Sequence, residues 1–407
     1  MIVVYGATGT TGALVAKALL ERGGSDIVLA GRDQSRLARL AGELGGLEIR
    51  PAPVHDAAGL TAAVRGAEVV VSCAGPFFQI GEPILRAAIA AGAHYVDVSD
   101  EQDFQRDAYE RCDSRARAAG ITAVPGCAWQ IALGDWAAHR AARLARAQAA
   151  PDPAASPLDA ADRAAAPVEG RGRAALDEPL DEPLDEPLDE IVVGIALAGV
   201  RTSPGTRQSL FAALSRPTSV WRDDRWESAA PLSRARRMAF PPPFGERDAL
   251  LWPSGEVIAI PRHTAARRVE VYLALGEPFP GLGAAARLAG LFGPLLPLAA
   301  ASPLGALVRA RAGAAPPPDE EARRRIEFAL VAEAALHFRR ARVALGGTDP
   351  YALSARIAAF GALRLERARP GSPDAPPAGV ITPSELADPE SSLATLVGEG
   401  WLSIAEY

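Results

Sequence analysis

The 407-residue chain is almost without lysine: of its 43 basic residues all but Lys17 are arginine. Lysine Schiff-base or acid–base chemistry is therefore nearly closed to it. Cysteine is scarce as well. Cys73, Cys112 and Cys127 are odd in number and lack metal-ligand spacing, which fits a reduced, cytoplasmic compartment with no disulfide framework and no metal site. The N-terminus, MIVVYGATG, carries neither a basic stretch nor a cleavable apolar one, so no secretion signal is expected. A basic excess is also missing: the net charge of −6 argues against a nucleic-acid partner. Eight acids crowd into Asp177–Glu190, and without them the balance would be +2, so the rest of the chain is near neutral. What is abundant is apolar surface. Hydrophobic residues make up 49% and charged residues 23%, enough for a core of two ordinary domains.

The first 125 residues alternate short apolar runs with amphipathic patterns. Strands are expected at Ile2–Tyr5, Ile27–Ala30, Glu48–Pro53, Val69–Cys73, Tyr95–Val98 and Ile121–Val124. Helices are expected between them, at Thr11–Arg22, Gln34–Leu44, Ala57–Arg65, Ile80–Ala91 and Glu101–Ala119. Apolar strands separated by helices signal a parallel sheet covered on both faces, a doubly wound Rossmann-type α/β fold. Residues 1–148 are read as this domain. Residues 149–190 form a linker rich in Pro, Asp and Glu that ends in LDEPLDEPLDEPLDE. Proline every fourth residue forbids a helix there, leaving a solvated spacer or an acidic docking strip.

Residues 191–346 read mostly as strands, at Ile191–Ala198, Arg236–Phe240, Glu256–Ile260, Arg268–Leu275, Glu327–Glu333 and Arg340–Leu345. Without alternating helices, an inserted α+β domain built on an antiparallel sheet is expected, for substrate binding or dimerisation. A helix starting at Ser203-Pro204 should cover one face of it. Leu288–Val308 is a charge-free run of 21 residues, but Pro294, Pro297 and Pro303 interrupt it. It reads as an apolar lid or hairpin, with lipid contact through 281–312 or a homodimer interface as alternatives, rather than as a membrane span. Residues 347–407 form a C-terminal segment with a thin apolar face that needs another surface to pack on.

The strongest chemical signal is the first turn, VVYGATGTTGALVAKAL. Gly6 permits the tight turn, Gly9 lets backbone N–H groups approach a pyrophosphate, and Gly12 lets the helix pack close to the sheet. Thr8, Thr10 and Thr11 complete this phosphate cradle at a helix N-terminus. At the end of the second strand, where an NAD site carries an acid, stands Arg32, with Arg36 one turn later. Two guanidiniums there suit a 2′-phosphate, so NADP(H) is favoured over NAD(H). Asp33 reads as a helix cap. Cys73, Ala74, Gly75 and Pro76 leave the fourth strand beside the same crevice, and Asp56 follows the third; all are assigned to the cofactor. Cys73 has no basic neighbour and reads as a small filler. After the fifth strand, Asp97, Ser99, Asp100 and Glu101 crowd the crevice. Asp97 is the candidate for proton transfer, Ser99 and Glu101 for substrate contact. His263, in IPRHT and read as lying at a strand end, is a second candidate acid.

GATGTTG, AGR, SCAGPF, YVDVSDE and VPGCAWQIALGD resemble the saccharopine dehydrogenase-like reductases, which include saccharopine reductases and trans-acting enoyl reductases. The resemblance continues through SPGTRQSL, FPPPFG, IPRH and GTDPYALSA to GVITPSE, nearly the whole chain. It implies an NADP-binding first domain, a C-terminal segment returning to it, and hydride transfer to a C=C or C=N bond of a small or carrier-bound intermediate. Relatives often carry G-F-D where this chain has Ala128-Trp129-Gln130. Trp129 and Gln130 then become substrate candidates, and a charged amino-acid substrate loses a partner; Asp135 is retained. A non-enzymatic dinucleotide-binding scaffold or redox sensor is the alternative.

Overall fold

The structure, a computed structural model, describes residues 1–24, 26–149, 186–275, 302, 316–368, 371–372 and 374–407. The apolar run Leu288–Val308, apart from Ser302, and most of the acidic repeat lie outside them.

The N-terminal half alternates as its hydrophobic pattern requires. Strands β1 (Ile2–Tyr5), β2 (Ile27–Gly31), β3 (Glu48–Pro51), β4 (Val69–Ser72), β5 (His94–Asp97) and β6 (Thr122–Val124) are all parallel. Helices α1 (Thr10–Glu21), α2 (Gln34–Glu43), α3 (Ala57–Ala63) and α4 (Phe77–Ala91) connect the first five. The sheet order is β15-β6-β5-β4-β1-β2-β3, with β15 (Gly379–Val380) supplied by the C-terminal segment. The chain reverses its direction of sheet growth between β1 and β4. Ligands of doubly wound sheets lie beyond the strand ends at such a point. One expected helix, Glu101–Ala119, is three pieces: α5 (Gln102–Asp107), a π-helical turn Ala108–Cys112 and α6 (Asp113–Ala118).

Helix α7 (Trp129–Ala149) leaves this sheet and underlies the second one. That sheet runs β10-β11-β12-β7-β13-β14-β16, with β8 on β12 and β9 on β8. Its strands are β7 (Glu190–Ala198), β8 (Thr218–Arg222), β9 (Arg225–Ala229), β10 (Ala235–Phe240), β11 (Gly245–Leu251), β12 (Arg268–Leu275), β13 (Glu327–Leu336), β14 (Arg339–Thr348) and β16 (Ser403–Glu406).

The expected antiparallel sheet is therefore mixed: β7 and β12 pair in parallel, Ile191 to Val269 through Leu197 to Leu275. The crossover between them runs through helix Pro204–Leu214, two hairpins and a short helix rather than a single helix, so the usual signature of a parallel pair is missing from the sequence. The expected strand Glu256–Ile260 is a short helix, Glu256–Ala259, continued as a 3₁₀ turn, Ile260–Arg262. Its residues are buried all round, and a short, wholly buried apolar run does not distinguish strand from helix.

The C-terminal segment returns to the first domain, and also goes beyond it. Helix Pro350–Arg367 packs on α1, β15 extends the first sheet, and β16 closes the edge of the second against β14. Between them, helix Pro389–Gly398 lies on α7. Arg140 of α7, only 5% exposed, ion-pairs with both Glu390 and Glu406 and so fastens the segment at two points. Replacing Arg140 by Met leaves the half-buried Glu406 without its cation and Glu390 with only Arg143, 3.8 Å away. The expected cost is about 3–5 kcal/mol, measured as a lower urea midpoint with an unchanged slope. A midpoint within experimental error of wild type would show that the Arg140 ion pairs do not hold the tail.

Candidate functional site

The turn between β1 and α1 has the shape its glycines demand. Gly6 has φ +79°, and a Cβ there would lie 2.8 Å from the Ala74 nitrogen. A Cβ on Gly12 would lie 2.3 Å from the Gly6 carbonyl oxygen, so only glycine lets α1 sit on the turn. Asp33 caps α2 through the Arg36 N–H, and Asp56 caps α3 through the Gly59 N–H. By contrast, no side chain caps α1 at Gly9. Its first-turn N–H groups, from Thr10, Thr11 and Gly12, are free to take an anion. Arg36 reaches back over this turn, donating to the Thr8 carbonyl at 2.9 Å. Arg32 is exposed beside it, with no hydrogen bond or ion pair among the described residues. An uncapped helix end, a cradle that any Cβ would fill and two adjacent guanidiniums fit a 2′-phosphorylated dinucleotide.

Cys73, Ala74, Gly75 and Pro76 pass the cradle at the end of β4, as the sequence implied. Burial and the nearby Asp97 charge push the Cys73 thiol well up, so it is an inert filler. Asp56, assigned to the cofactor from the sequence, caps α3 in the structure. Its carboxylate is engaged as a helix cap on an exposed turn, which accounts for it without the cofactor.

Next to the cradle opens a cavity of about 710 Å³, walled by both domains. Thr11, Cys73 and Gly75 stand at the dinucleotide side. Phe77, Phe78, Trp129, Leu210, Trp252 and Leu273 are among the apolar residues of its wall. Helix Pro204–Leu214, capped by Ser203 as its sequence implied, contributes one side of this wall. Trp129 is fixed by its ring against Phe328, with centroids 4.9 Å apart.

The acids after β5 divide into different roles. Glu101 accepts from the Phe77 and Phe78 N–H groups, both at 2.8 Å, and from the Ser209 hydroxyl at 2.6 Å. It caps α4 and ties it to the second domain. Ser99 lines the cavity but donates its hydroxyl to Asp97 at 2.6 Å. Asp100 lines the cavity with no side-chain hydrogen bond among the described residues. Burial and the Glu101 charge push its carboxyl up to about 7.

Both residues first expected to move a proton lie behind the wall. Asp97 is 0% exposed and accepts from Ser99 N, Ser99 Oγ and Gly126 N, which locks the turn before α7. Burial raises it to about 6, against the pull of those donors. His263 is not at a strand end but follows the 3₁₀ turn. Its Nε2 meets Asp135 Oδ1 at 2.5 Å, and Asp135 Oδ2 accepts from Ser384 N at 2.8 Å. This pair fastens α7 to the C-terminal segment, and neither member reaches the cavity. His263 belongs to the turn after Ile260–Arg262, which packs on α7.

Gln130 does line the cavity, and its amide nitrogen donates to Ser254 Oγ at 2.5 Å. Ser254 in turn donates to Glu256, which is 0% exposed. Burial pushes the Glu256 carboxyl up to about 8, with Asp100 and Asp135 adding to the rise. Sequence reading missed this pair. The signal available was the Pro-Ser-Gly breaker before a lone acid in an otherwise apolar run, WPSGEVIAI.

These features define a dinucleotide-binding fold with an apolar cavity beside the cradle. Residues 2–124 match the family model described as the saccharopine dehydrogenase NADP binding domain. Over 149 residues the chain is 33% identical to a trans-acting enoyl reductase of Mycobacterium ulcerans, covering 35% of this chain and 36% of that one. Over 145 residues it is 30% identical to a lipid droplet localized protein of Caenorhabditis elegans, covering 33% and 34%. The matched stretch is thus about a third of the length of these curated relatives. Apo saccharopine dehydrogenase (L-Glu forming) from Saccharomyces cerevisiae shares the fold across 100% of this chain and 99% of that one, with TM-score 0.59 and 13% identity. Among the described residues, no helix is long and apolar enough to cross a membrane.

Glu256 gives the site a pH signature. Its carboxyl holds a proton more tightly when folded, about 8 against 4.5, so the unfolded chain binds fewer protons between those values. Stability from this group is fully present below about pH 4.5 and falls as pH rises toward 8. Glu256→Gln removes the loss. The gap in unfolding temperature between variant and wild type should widen from pH 5 to 8 and then level off. A gap independent of pH would show that Glu256 is not held neutral.

Proposed function

We propose that the protein is an NADPH-dependent reductase acting on a C=C or C=N bond of a hydrophobic intermediate, with a carrier-bound enoyl group the favoured substrate. The observation that carries this reading is the apolar cavity beginning at Thr11 and Gly75, where a dinucleotide held by the cradle would end. When bound, NADPH supplies a hydride; the chain supplies everything else. The α1 N-terminus and Arg32 and Arg36 hold the phosphates. The aromatic wall excludes water and selects an apolar chain. Asp100 is the cavity acid placed to give a proton, since Asp97 and His263 are enclosed elsewhere and Glu101 is engaged as a cap. Of the arginines on the cavity lining, Arg201, Arg216, Arg237 and Arg247, two are already paired, Arg216 with Asp103 and Arg237 with Glu246, and the aromatic wall favours an acyl substrate over a charged amino acid. The relatives named as enoyl reductases support the same choice.

Two measurements test this. Calorimetry should give tighter binding of NADPH than NADH, and Arg36→Ala should weaken NADPH about tenfold or more while leaving NADH nearly unchanged. Equal loss for both cofactors would reject the phosphate clamp. Loss of absorbance at 340 nm should follow mixing with enoyl N-acetylcysteamine thioesters of increasing chain length. Consumption with amine–ketone pairs alone would move the reading to imine reduction. A protein that binds NADPH but consumes it with neither class would be a scaffold or sensor.

A further inference from the structure

The chain Gln130–Ser254–Glu256 runs from the cavity wall to a carboxyl wholly enclosed by protein. Its inner end has one outlet. Glu256 Oε1 has no hydrogen-bond partner, and the Glu256 side chain packs on Gly134 of α7, where a Cβ would lie 2.7 Å from Glu256 Cγ. Only Oε2 is engaged, and its partner is Ser254, itself 1% exposed. Its outer end is open. The Gln130 amide oxygen has no hydrogen bond among the described residues, and the residue borders the cavity.

Such a chain has two directions. With Glu256 ionised, Ser254 must donate inward, so its oxygen accepts from the Gln130 NH₂ group, and the amide oxygen faces the cavity. In the structure the Gln130 amide nitrogen lies on Ser254 Oγ and Ser254 Oγ lies on Glu256 Oε2, which matches this direction at the amide. With Glu256 protonated, the carboxyl donates to Ser254, Ser254 donates outward to the Gln130 oxygen, and the amide turns over. The NH₂ group then faces the cavity as a donor.

We propose that Gln130 orients the carbonyl oxygen of the substrate, and that the proton on Glu256, relayed as hydrogen-bond direction by Ser254, decides whether Gln130 offers a donor or an acceptor. The orienting role rests on the reductase reading; the switch does not. Gln130 and Ser254 are here positioning groups, and no proton leaves the chain. The charges acting on Glu256 are Asp100, from the β5–α5 turn, whose own carboxyl is pushed up to about 7, and Asp135, from α7; when ionised, both favour its neutral form. Neighbouring ions are engaged elsewhere: Asp103 with Arg216, Arg222 with Glu270, and His263 with Asp135. The structure holds the amide oxygen toward the cavity; protonation of Glu256, which burial favours, would turn the NH₂ group there, where it suits a carbonyl. Gly134 is part of the same device, because any larger residue inside α7 would displace the carboxyl.

Glutamine-selective ¹⁵N labelling tests the switch, with the Gln130 side-chain signal assigned by its loss in Gln130→Met. The signal should move through one titration with a midpoint near pH 8 in wild type and stay flat in Glu256→Gln. Ser254→Ala, which cuts the chain without touching either end, should also flatten it. A Gln130 signal flat in wild type, or one that still titrates in Glu256→Gln, overturns the switch. Crotonyl N-acetylcysteamine, bound to the NADP⁺ complex and followed by tryptophan fluorescence, tests the orienting role. Its affinity should fall about tenfold from pH 6.5 to 9.5 in wild type and stay constant in Glu256→Gln. The same pH dependence in both proteins, or no binding to wild type, overturns that role. Failure of the reductase reading would show instead as no NADPH consumption, with the Gln130 titration intact.

Discussion

The cavity depends on one carboxylate. Glu101 accepts two N–H groups at the start of α4 and a hydroxyl from helix Pro204–Leu214. Two other pieces of chain, 24 and 108 residues away in sequence, are thereby held around Glu101. Without this cap, α4 would begin with unsatisfied donors, and the second domain would lose a polar contact with the first. A carboxylate at a helix N-terminus is favourable on both hydrogen-bonding and dipole grounds. Since the acceptor sites face donors already, Glu101 is poorly suited to bind substrate, although it lines the chamber. Its neighbour Asp100 is left free by the same arrangement.

Much of the first domain was legible because its signals are local. A glycine spacing, a strand end and an uncapped helix lie within a few dozen residues, and the physics of each is decided there. Arg36 over Thr8 and Asp33 as a cap follow from neighbours in sequence. The catalytic assignments were less legible because burial is not local. Asp97 and His263 look like proton donors in isolation, yet each meets partners more than twenty residues away that enclose it. Gln130 was singled out by its departure from a familiar tripeptide, and its placement on the cavity wall needed only α7. Its link to Glu256 spans more than one hundred residues and crosses between domains, so no spacing in the sequence announces it.

The near-absence of lysine has a structural counterpart. Ion pairs that lace the second sheet, such as Arg236 with Glu190 and Glu333, use the planar guanidinium to serve two carboxylates at once. An ammonium is a poorer match to such forks. Arginine also lies over aromatic rings at Phe78, Tyr109 and Trp401, where the flat cation covers apolar surface as well as carrying charge. The composition thus fits a protein whose charges are partly packed rather than wholly solvated.

Strands β15 and β16 come from one short stretch of chain but complete different sheets. Until residues 379–406 have been synthesised, β6 and β14 are both open edges, each presenting unpaired backbone groups. The two domains therefore do not mature one after the other along the chain. The first waits for the same late segment as the second, and a nascent polypeptide halted before residue 379 would carry two exposed sheet margins at once. Such an intermediate is prone to pair with copies of itself, so this architecture ties productive folding to synthesis of the final stretch.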